Sequence, residues 1–297
     1  GKIMSKSNPP HFATLTVAAD QPIAASRHGK IQRVADDVYM VRGRMPSTPK
    51  RPLFERLFMY YSRTMTIVRR KTGAGDYELS LINSLRLSDK ALKQLSELGK
   101  VKHIVRLGSF HGVDDAFYLQ RFDAKYWVVE GMKHASGLTV EPEILSDTKL
   151  PILESQLFSF ENLPYPEAII VLPATSHRAG IAITTDSIQN HRSIFDIDNS
   201  PLVSLGIWRI GLAGAARLGP IWLREQMPQR GDSIPLTALE KKQNISIFFR
   251  PQYQRLLDHH DFDMLMPGHG WPITRGAKKA ITASMDSQLC TRGTLIR

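Results

Sequence analysis

The chain has almost no cysteine and lacks long apolar runs. Its single cysteine, Cys290, excludes an intramolecular disulfide framework and any cysteine-rich zinc site. No stretch approaches the roughly 18 consecutive apolar residues that a membrane span needs. The N-terminal region has no apolar core of signal-peptide length. We therefore expect no transmembrane segment and a cytoplasmic protein.

Acidic residues are fewer than basic ones. The chain has 28 Asp and Glu and 39 Lys and Arg, which gives a formal net charge of +11. The excess is concentrated between Arg42 and Lys71, where nine cationic residues accompany only Glu55 and aromatic residues are interleaved. Such a segment attracts anions, so an anionic small-molecule substrate or a nucleic acid is a candidate partner. The alternative is a solvated loop, because no nucleic-acid-binding module is recognisable.

Alternating strand and helix patterns predict an α/β protein. Strand patterns at 31–42, 64–70 and 77–85 precede a helix that begins after Ser88 and ends at Gly99. Further strands are predicted at 101–107, 126–130, 168–172 and 180–185, a loop at 226–242 and a helix at 248–260. The segment 207–224 is predicted as a helix packed on the core, with a lid or a docking surface as alternatives. Residues 1–30 are predicted to form a poorly ordered arm. Residues 31–297 are predicted to form a single domain with an insertion at about 201–245.

Histidine and aspartate follow several of these strands at tight turns. His269 stands between glycines directly after a short apolar strand, and His111 lies in the loop after 101–107. His177 and Asp186 follow the strands at 168–172 and 180–185. Imidazole and carboxylate ligands that converge from strand ends, with one position left for water, are what a metal-dependent hydrolase needs. A turn or a helix cap is the alternative for each residue.

The order of these features resembles the metallo-β-lactamase superfamily over roughly residues 31–285. In that family one strand ends in His-x-His-x-Asp-His, and later strands end near a histidine and at a bridging aspartate. A Gly-His-Gly loop then precedes a C-terminal helix. The resemblance implies a four-layer αββα sandwich, and it matches His177, Asp186 and His269 to the later ligands.

The first motif departs from the family pattern, and at least two of its ligands are absent in either alignment. With Asp114 on the family's aspartate, the histidine positions are Phe110, Gly112 and Asp115. With His111 on the second histidine, Ser109 replaces the first histidine and Val113 the aspartate. The fold is therefore predicted more strongly than the activity.

The resemblance implies a metal-dependent hydrolase of unknown substrate. The predicted metal ligands are His111, His177, Asp186 and His269, and the cofactor is one or two ions of Zn, Fe or Mn. Asp114 and Asp115 are predicted as catalytic carboxylates that orient a histidine or accept a proton from water. The alternative is an inactive relative that binds partners through its basic face. The remaining strand and helix histidines are predicted to be ordinary surface or helix residues: His103, His134, His191, His259 and His260.

Overall fold

The structure is a computed structural model that describes residues 25–45, 60–73, 75–132, 138, 140–192, 200–227 and 237–289. Within these ranges the chain forms a seven-stranded sheet, a four-stranded sheet, a two-stranded sheet and six helices. None of these helices combines the length and the apolar character that crossing a bilayer requires.

The first sheet contains seven strands in chain order. These are β1 Gln32–Ala35, β2 Val38–Arg44, β3 Ser62–Lys71, β4 Tyr77–Ile82, β5 Lys100–Arg106, β6 Lys125–Val128 and β7 Glu143–Ile144. The strands β1 to β4 are antiparallel, whereas β4 to β7 are parallel. Parallel neighbours need crossover connections. Helix α1 Asp89–Leu98 connects β4 to β5, and helix α2 Asp115–Arg121 connects β5 to β6.

The second sheet has the order β13-β10-β9-β8. Its strands are β8 Gln156–Ser159, β9 Ala168–Leu172, β10 Ile181–Ile183 and β13 Met264–Met266, and β10 and β13 are parallel. A separate pair joins β11 Ile188–His191 to β12 Ala215–Leu218. The remaining helices are α3 Pro201–Arg209, α4 Pro220–Glu225, α5 Ala238–His259 and α6 Ala277–Gln288.

Three apolar clusters separate four layers. In the central cluster, Val105 of the first sheet and Leu107, just beyond β5, pack with Ile183 of the second sheet. One outer cluster places Leu95 of α1 on the first sheet, and the other places Phe249 of α5 on the second. Helices thus cover the outer face of each sheet, and the predicted four-layer αββα sandwich is confirmed.

The segment 207–224 is not one helix, so that part of the prediction was wrong. Helix α3 ends at Arg209, and Gly211 and Gly214 adopt positive φ angles of 72° and 91° that stop it. The chain then forms β12 and the short α4. The predicted loop 226–242 also ends early, because Thr237 and Glu240 form a capping box that starts α5.

Part of the predicted N-terminal arm pairs with the first sheet. The amide of Gly29 donates to the carbonyl of Arg42 (2.7 Å), and the amide of Arg44 donates to the carbonyl of Arg27 (3.0 Å). Residues 1–24, His134 and Cys290 lie outside the described residues. The domain boundaries and the insertion at 201–245 stay predictions.

Candidate metal centre

Three side chains that can bind a metal ion meet at one end of the sandwich. Asp186 follows β10 and His269 follows β13, and because these strands are parallel neighbours both residues leave the same edge of the second sheet. His111 comes from the facing sheet, in the loop after β5. The amide of Ala168 donates to the carbonyl of Leu107 (2.9 Å), which ties the start of that loop to β9. The cluster is therefore assembled across the two sheets.

The ligand atoms of these side chains point at one another. Nε2 of His269 lies 2.9 Å from Oδ1 of Asp186, and Nε2 of His111 lies 3.3 Å from Oδ2 of Asp186. The two Nε2 atoms are 3.2 Å apart. Ligands bound to zinc at about 2.0–2.1 Å in a tetrahedral arrangement lie about 3.3 Å apart. The spacing therefore fits three ligands around one small ion, and within the described ranges this is the one such group.

His269 is held in the form that a metal ligand needs. Its Nδ1 lies within hydrogen-bond distance of the carbonyl oxygen of Ser62. A carbonyl oxygen only accepts, so Nδ1 carries a proton and Nε2 is the ring nitrogen that faces Asp186. Backbone carbonyls commonly orient metal-bound histidines in this way. The ring of Tyr61 packs against His269, with centroids 4.7 Å apart, and restricts its rotation.

The charges of the cluster also suit a cation. Burial lowers the pKa of His111, although Asp186 opposes that effect. Burial alone would raise the pKa of Asp186, but the two histidines outweigh it and hold that pKa well below its usual range. A neutral imidazole and an ionised carboxylate are the protonation states that bind metals. Asp186 is the most exposed of the three side chains, at 14%, although its Oδ2 atom is buried.

Asp114 lies in a structural ion pair below the His111 loop. Its Oδ2 binds the guanidinium of Arg63 on β3 and accepts a hydrogen bond from the amide of Arg86 (2.7 Å). The side chains of both Asp114 and Arg63 are only 3% exposed. Asp114 therefore joins the loop to the sheet.

Asp115 has a similar structural environment at the start of α2. Its Oδ1 accepts a hydrogen bond from the hydroxyl of Ser84 (2.6 Å), and its Oδ2 accepts one from the hydroxyl of Tyr126 (2.8 Å). Among the described residues, neither Asp114 nor Asp115 hydrogen-bonds to a histidine. Their predicted catalytic role stays a prediction that no contact in the structure supports.

The structure does not bring His177 to the cluster. His177 is exposed in the turn between β9 and β10, and its amide donates to the hydroxyl of Thr175 (3.2 Å). That turn precedes β10, whereas Asp186 follows it. A strand of three residues separates the two ends by about 10 Å, and the flanking residues add to that distance.

Sequence reasoning missed His191 beside the cluster. His191 was predicted to be an ordinary surface or helix residue, but it is fully buried on β11. Its Nε2 lies 2.9 Å from the hydroxyl of Tyr61, which also donates to Gln189 (2.8 Å). Burial lowers the pKa of His191 to about 3, and the charge of His269 adds to that effect. Ile188 is the only apolar residue between Thr184 and Arg192, so the sequence carried little signal of a buried strand there.

The described residues of the cation-rich segment 42–71 lie mostly in strands rather than in a solvated loop. Most of its cations on β2 and β3 have partners: Arg63 with Asp114, Arg69 with Asp37, Arg70 with Glu78, and Arg42 against the ring of Trp271. Lys50, Arg51 and Arg56 lie outside the described residues. The anionic substrate and nucleic acid predicted from this segment therefore stay proposals.

Glu167 gives the stability of the folded protein a testable pH dependence. It is buried, and its Oε1 accepts a hydrogen bond from the amide of Ser187 (2.8 Å). Burial raises its pKa to about 8, with help from the negative charge of Asp186. Because a glutamate carboxyl in the unfolded chain has a pKa of ~4.3, the contribution of Glu167 to stability is fully present below that pH. It is lost as the pH rises towards 8.

We expect Glu167→Gln to remove this loss in chelator-treated protein. Glutamine keeps an acceptor for Ser187 and does not titrate. The free energy of unfolding of the variant, relative to the parent protein, is expected to rise by a few kcal/mol between about pH 4.5 and pH 8.5. Urea titrations at several pH values measure it, and a difference that does not change with pH would contradict the assignment.

No protein-family model matches the chain, and no curated protein matches it in sequence. Solved structures do match it. VMB-1 is 13% identical, with a TM-score of 0.49 over 87% of this chain and 96% of that one. A β-lactamase domain protein from Burkholderia ambifaria is 13% identical, with a TM-score of 0.47 over 90% and 76% of the two chains.

A third similar structure is the metallo-β-lactamase FIM-1 from Pseudomonas aeruginosa in its mono-zinc form. It is 10% identical, with a TM-score of 0.46 over 90% of this chain and 97% of that one. At these identities the likenesses concern the fold alone. The αββα arrangement of this chain is similar to that of these three solved structures.

Proposed function

We propose that this protein is a metal-dependent hydrolase with one ion held by His111, Asp186 and His269. The observation that carries the proposal is the convergence of two imidazole nitrogens and a carboxylate within 2.9–3.3 Å of one another. Three protein ligands with a remaining open position are typical of catalytic zinc sites, whereas structural sites use four.

The residues around the cluster have separate roles in holding the ion. Ser62 fixes the tautomer of His269, and Tyr61 fixes its ring plane. Asp186 contributes the negative charge that favours a cation, and it is the most exposed of the three ligands. When bound, the ion would supply a Lewis acid and lower the pKa of a water molecule towards ~7.

The identity of the ion and of the substrate belongs to this proposal as well. Imidazole with carboxylate suits zinc, iron or manganese. The net charge of +11 favours an anionic substrate through its long-range field. We propose hydrolysis of a small anionic ester, amide or phosphoester.

The test is metal content together with turnover. Protein purified without chelators is expected to hold about one transition-metal ion per chain and to hydrolyse at least one member of a panel of anionic esters, β-lactams and phosphodiesters. The isosteric change Asp186→Asn removes the charged ligand and should lower turnover by about 100-fold or more, with His177→Ala as the matched control. Protein that retains no zinc, iron or manganese would rule out the hydrolase and favour the inactive binding module.

A further inference from the structure

The outer face of helix α3 is apolar and exposed. Leu202, Leu205 and Trp208 follow one another at spacings of three residues, which places them on one side of the helix. They are 46%, 57% and 59% exposed, and Ile210 just beyond the helix is 50% exposed. The opposite side of the helix, which carries Ile207, is buried. Large apolar side chains that are exposed next to one another mark an interaction surface.

Both ends of α3 are fixed to the body of the domain. At its start, the amide of Ser200 donates to the carbonyl of Tyr60 (3.0 Å), and the hydroxyl of Ser200 accepts the amide hydrogen of Val203 (3.2 Å). Beyond its end, the amide of Gly214 donates to the carbonyl of His191 (2.6 Å). The folded protein therefore presents the apolar face on a helix that is held in place, and no rearrangement is needed to display it.

Arginine residues adjoin the apolar face. Arg209, in the last turn of α3, is exposed. Arg217 lies at the end of the same helix, because its Nε donates to the carbonyl of Gly211 (2.9 Å). The sequence from Ser200 to Arg224 contains three arginines and no Asp or Glu. On a chain of net charge +11, cations beside exposed apolar side chains favour a surface that is both apolar and anionic.

A lipid bilayer matches this combination better than a protein partner does. A stable protein interface buries about 800 Å² of each partner. Four partly exposed side chains supply less than that, because even a fully exposed tryptophan contributes only about 250 Å². A bilayer takes up single apolar side chains at the level of its headgroups, where tryptophan is favoured. Arginine side chains at the edge of such a face are long enough to reach the headgroups.

We propose that the apolar face of α3 docks on an anionic lipid surface. The four exposed apolar side chains enter the boundary between headgroups and acyl chains, and Arg209 and Arg217 contact the lipid phosphates. The docking surface is independent of the proposed metal ion, since none of the three ligand residues belongs to it.

The test measures co-sedimentation of the full chain with unilamellar vesicles. Vesicles of about three parts phosphatidylcholine to one part phosphatidylglycerol are expected to bind the protein about tenfold or more tightly than pure phosphatidylcholine. Leu205→Ser and Trp208→Ser should each weaken binding to the mixed vesicles about tenfold, and Arg209→Gln about fivefold. Leu153→Ser is the matched control for Leu205→Ser, because Leu153 is similarly exposed (64%) in the turn before β8, and it should leave binding unchanged.

Fluorescence quenching locates the contact on α3. Trp127 and Trp222 are buried, so brominated lipids in the mixed vesicles should quench Trp208 most strongly, and Trp208→Phe should remove most of that quenching. Circular dichroism shows that each variant is folded.

Three results would overturn the proposal. The first is the absence of binding to the mixed vesicles. The second is binding that Leu205→Ser weakens no more than Leu153→Ser does, which would assign the interaction to charges elsewhere on the chain. The third is a dimer in sedimentation velocity that Trp208→Ser dissociates, which would show that a second copy of the chain covers this face. Metal content does not enter any of these measurements, so their outcome is distinct from a failure of the hydrolase proposal.

Discussion

Asp114→Ala is expected to lower the free energy of unfolding by about 3–5 kcal/mol, because it leaves a buried arginine without its partner. Arg63 is 3% exposed, and its guanidinium contacts Asp114 and the carbonyl of Ser84. Without the carboxylate, the charge of Arg63 stays desolvated or the loop that carries His111 opens to water. Urea unfolding followed by circular dichroism measures the change.

A paired variant separates charge from shape. Arg63→Met/Asp114→Leu removes both charges while keeping much of the volume, and it should recover most of the lost stability. Asp123→Ala is the exposed control, since Asp123 pairs with Lys102 in full contact with solvent and its loss should leave stability unchanged. If Asp114→Ala unfolds like the parent protein but loses turnover, the sequence-based catalytic role of Asp114 is correct.

Local patterns in the sequence predicted the elements that deliver the site. The apolar strand before Pro267 and the glycines around His269 predicted a histidine aimed off a strand end, and the structure places it there. The strand before His111 and the helix after Ser88 were also predicted near their observed bounds. These features depend on short-range periodicity and on backbone conformations that neighbouring residues impose.

Contacts between residues that are distant in sequence could not be predicted from these local patterns. Arg63 and Asp114 stand 51 positions apart, so nothing local marks either residue as half of an ion pair. Asp114 and Asp115 stand at the start of a helix, where a capping role and a catalytic role fit equally well. The contact of Tyr61 with His269 joins residues that flank β3 and β13, which belong to different sheets, and no spacing in the chain encodes it.

The direction of the strands explains why His177 lies away from the cluster. A strand pattern followed by a histidine predicts a residue at a strand end, but it does not say which edge of the sheet that end occupies. Because β9 and β10 form an antiparallel hairpin, His177 lies at the edge opposite to Asp186. The resemblance to a family motif matched the order of residues along the chain without testing this geometry.

His111→Ala is expected to weaken metal binding by about 100-fold or more, whereas His177→Ala should leave it unchanged. Loss of outer contacts to metal ligands typically costs 10–100-fold in affinity, and removal of one of three direct ligands should cost at least as much. Cobalt(II) is a suitable probe, because it takes the place of zinc and its visible absorption reports the ligand set. Titration of chelator-treated protein gives the affinity and the stoichiometry.

The comparison of these two histidines distinguishes the structural assignment from the sequence pattern. Both residues follow predicted strands, and both were predicted as ligands, but only His111 lies with Asp186 and His269. The two variants carry the same substitution, so general effects of a lost imidazole are matched, and circular dichroism shows whether each is folded. A large loss for His177→Ala with none for His111→Ala would place the ion elsewhere and contradict the three-residue site. Equal affinities for both variants and the parent protein would assign the bound metal to a site outside this cluster.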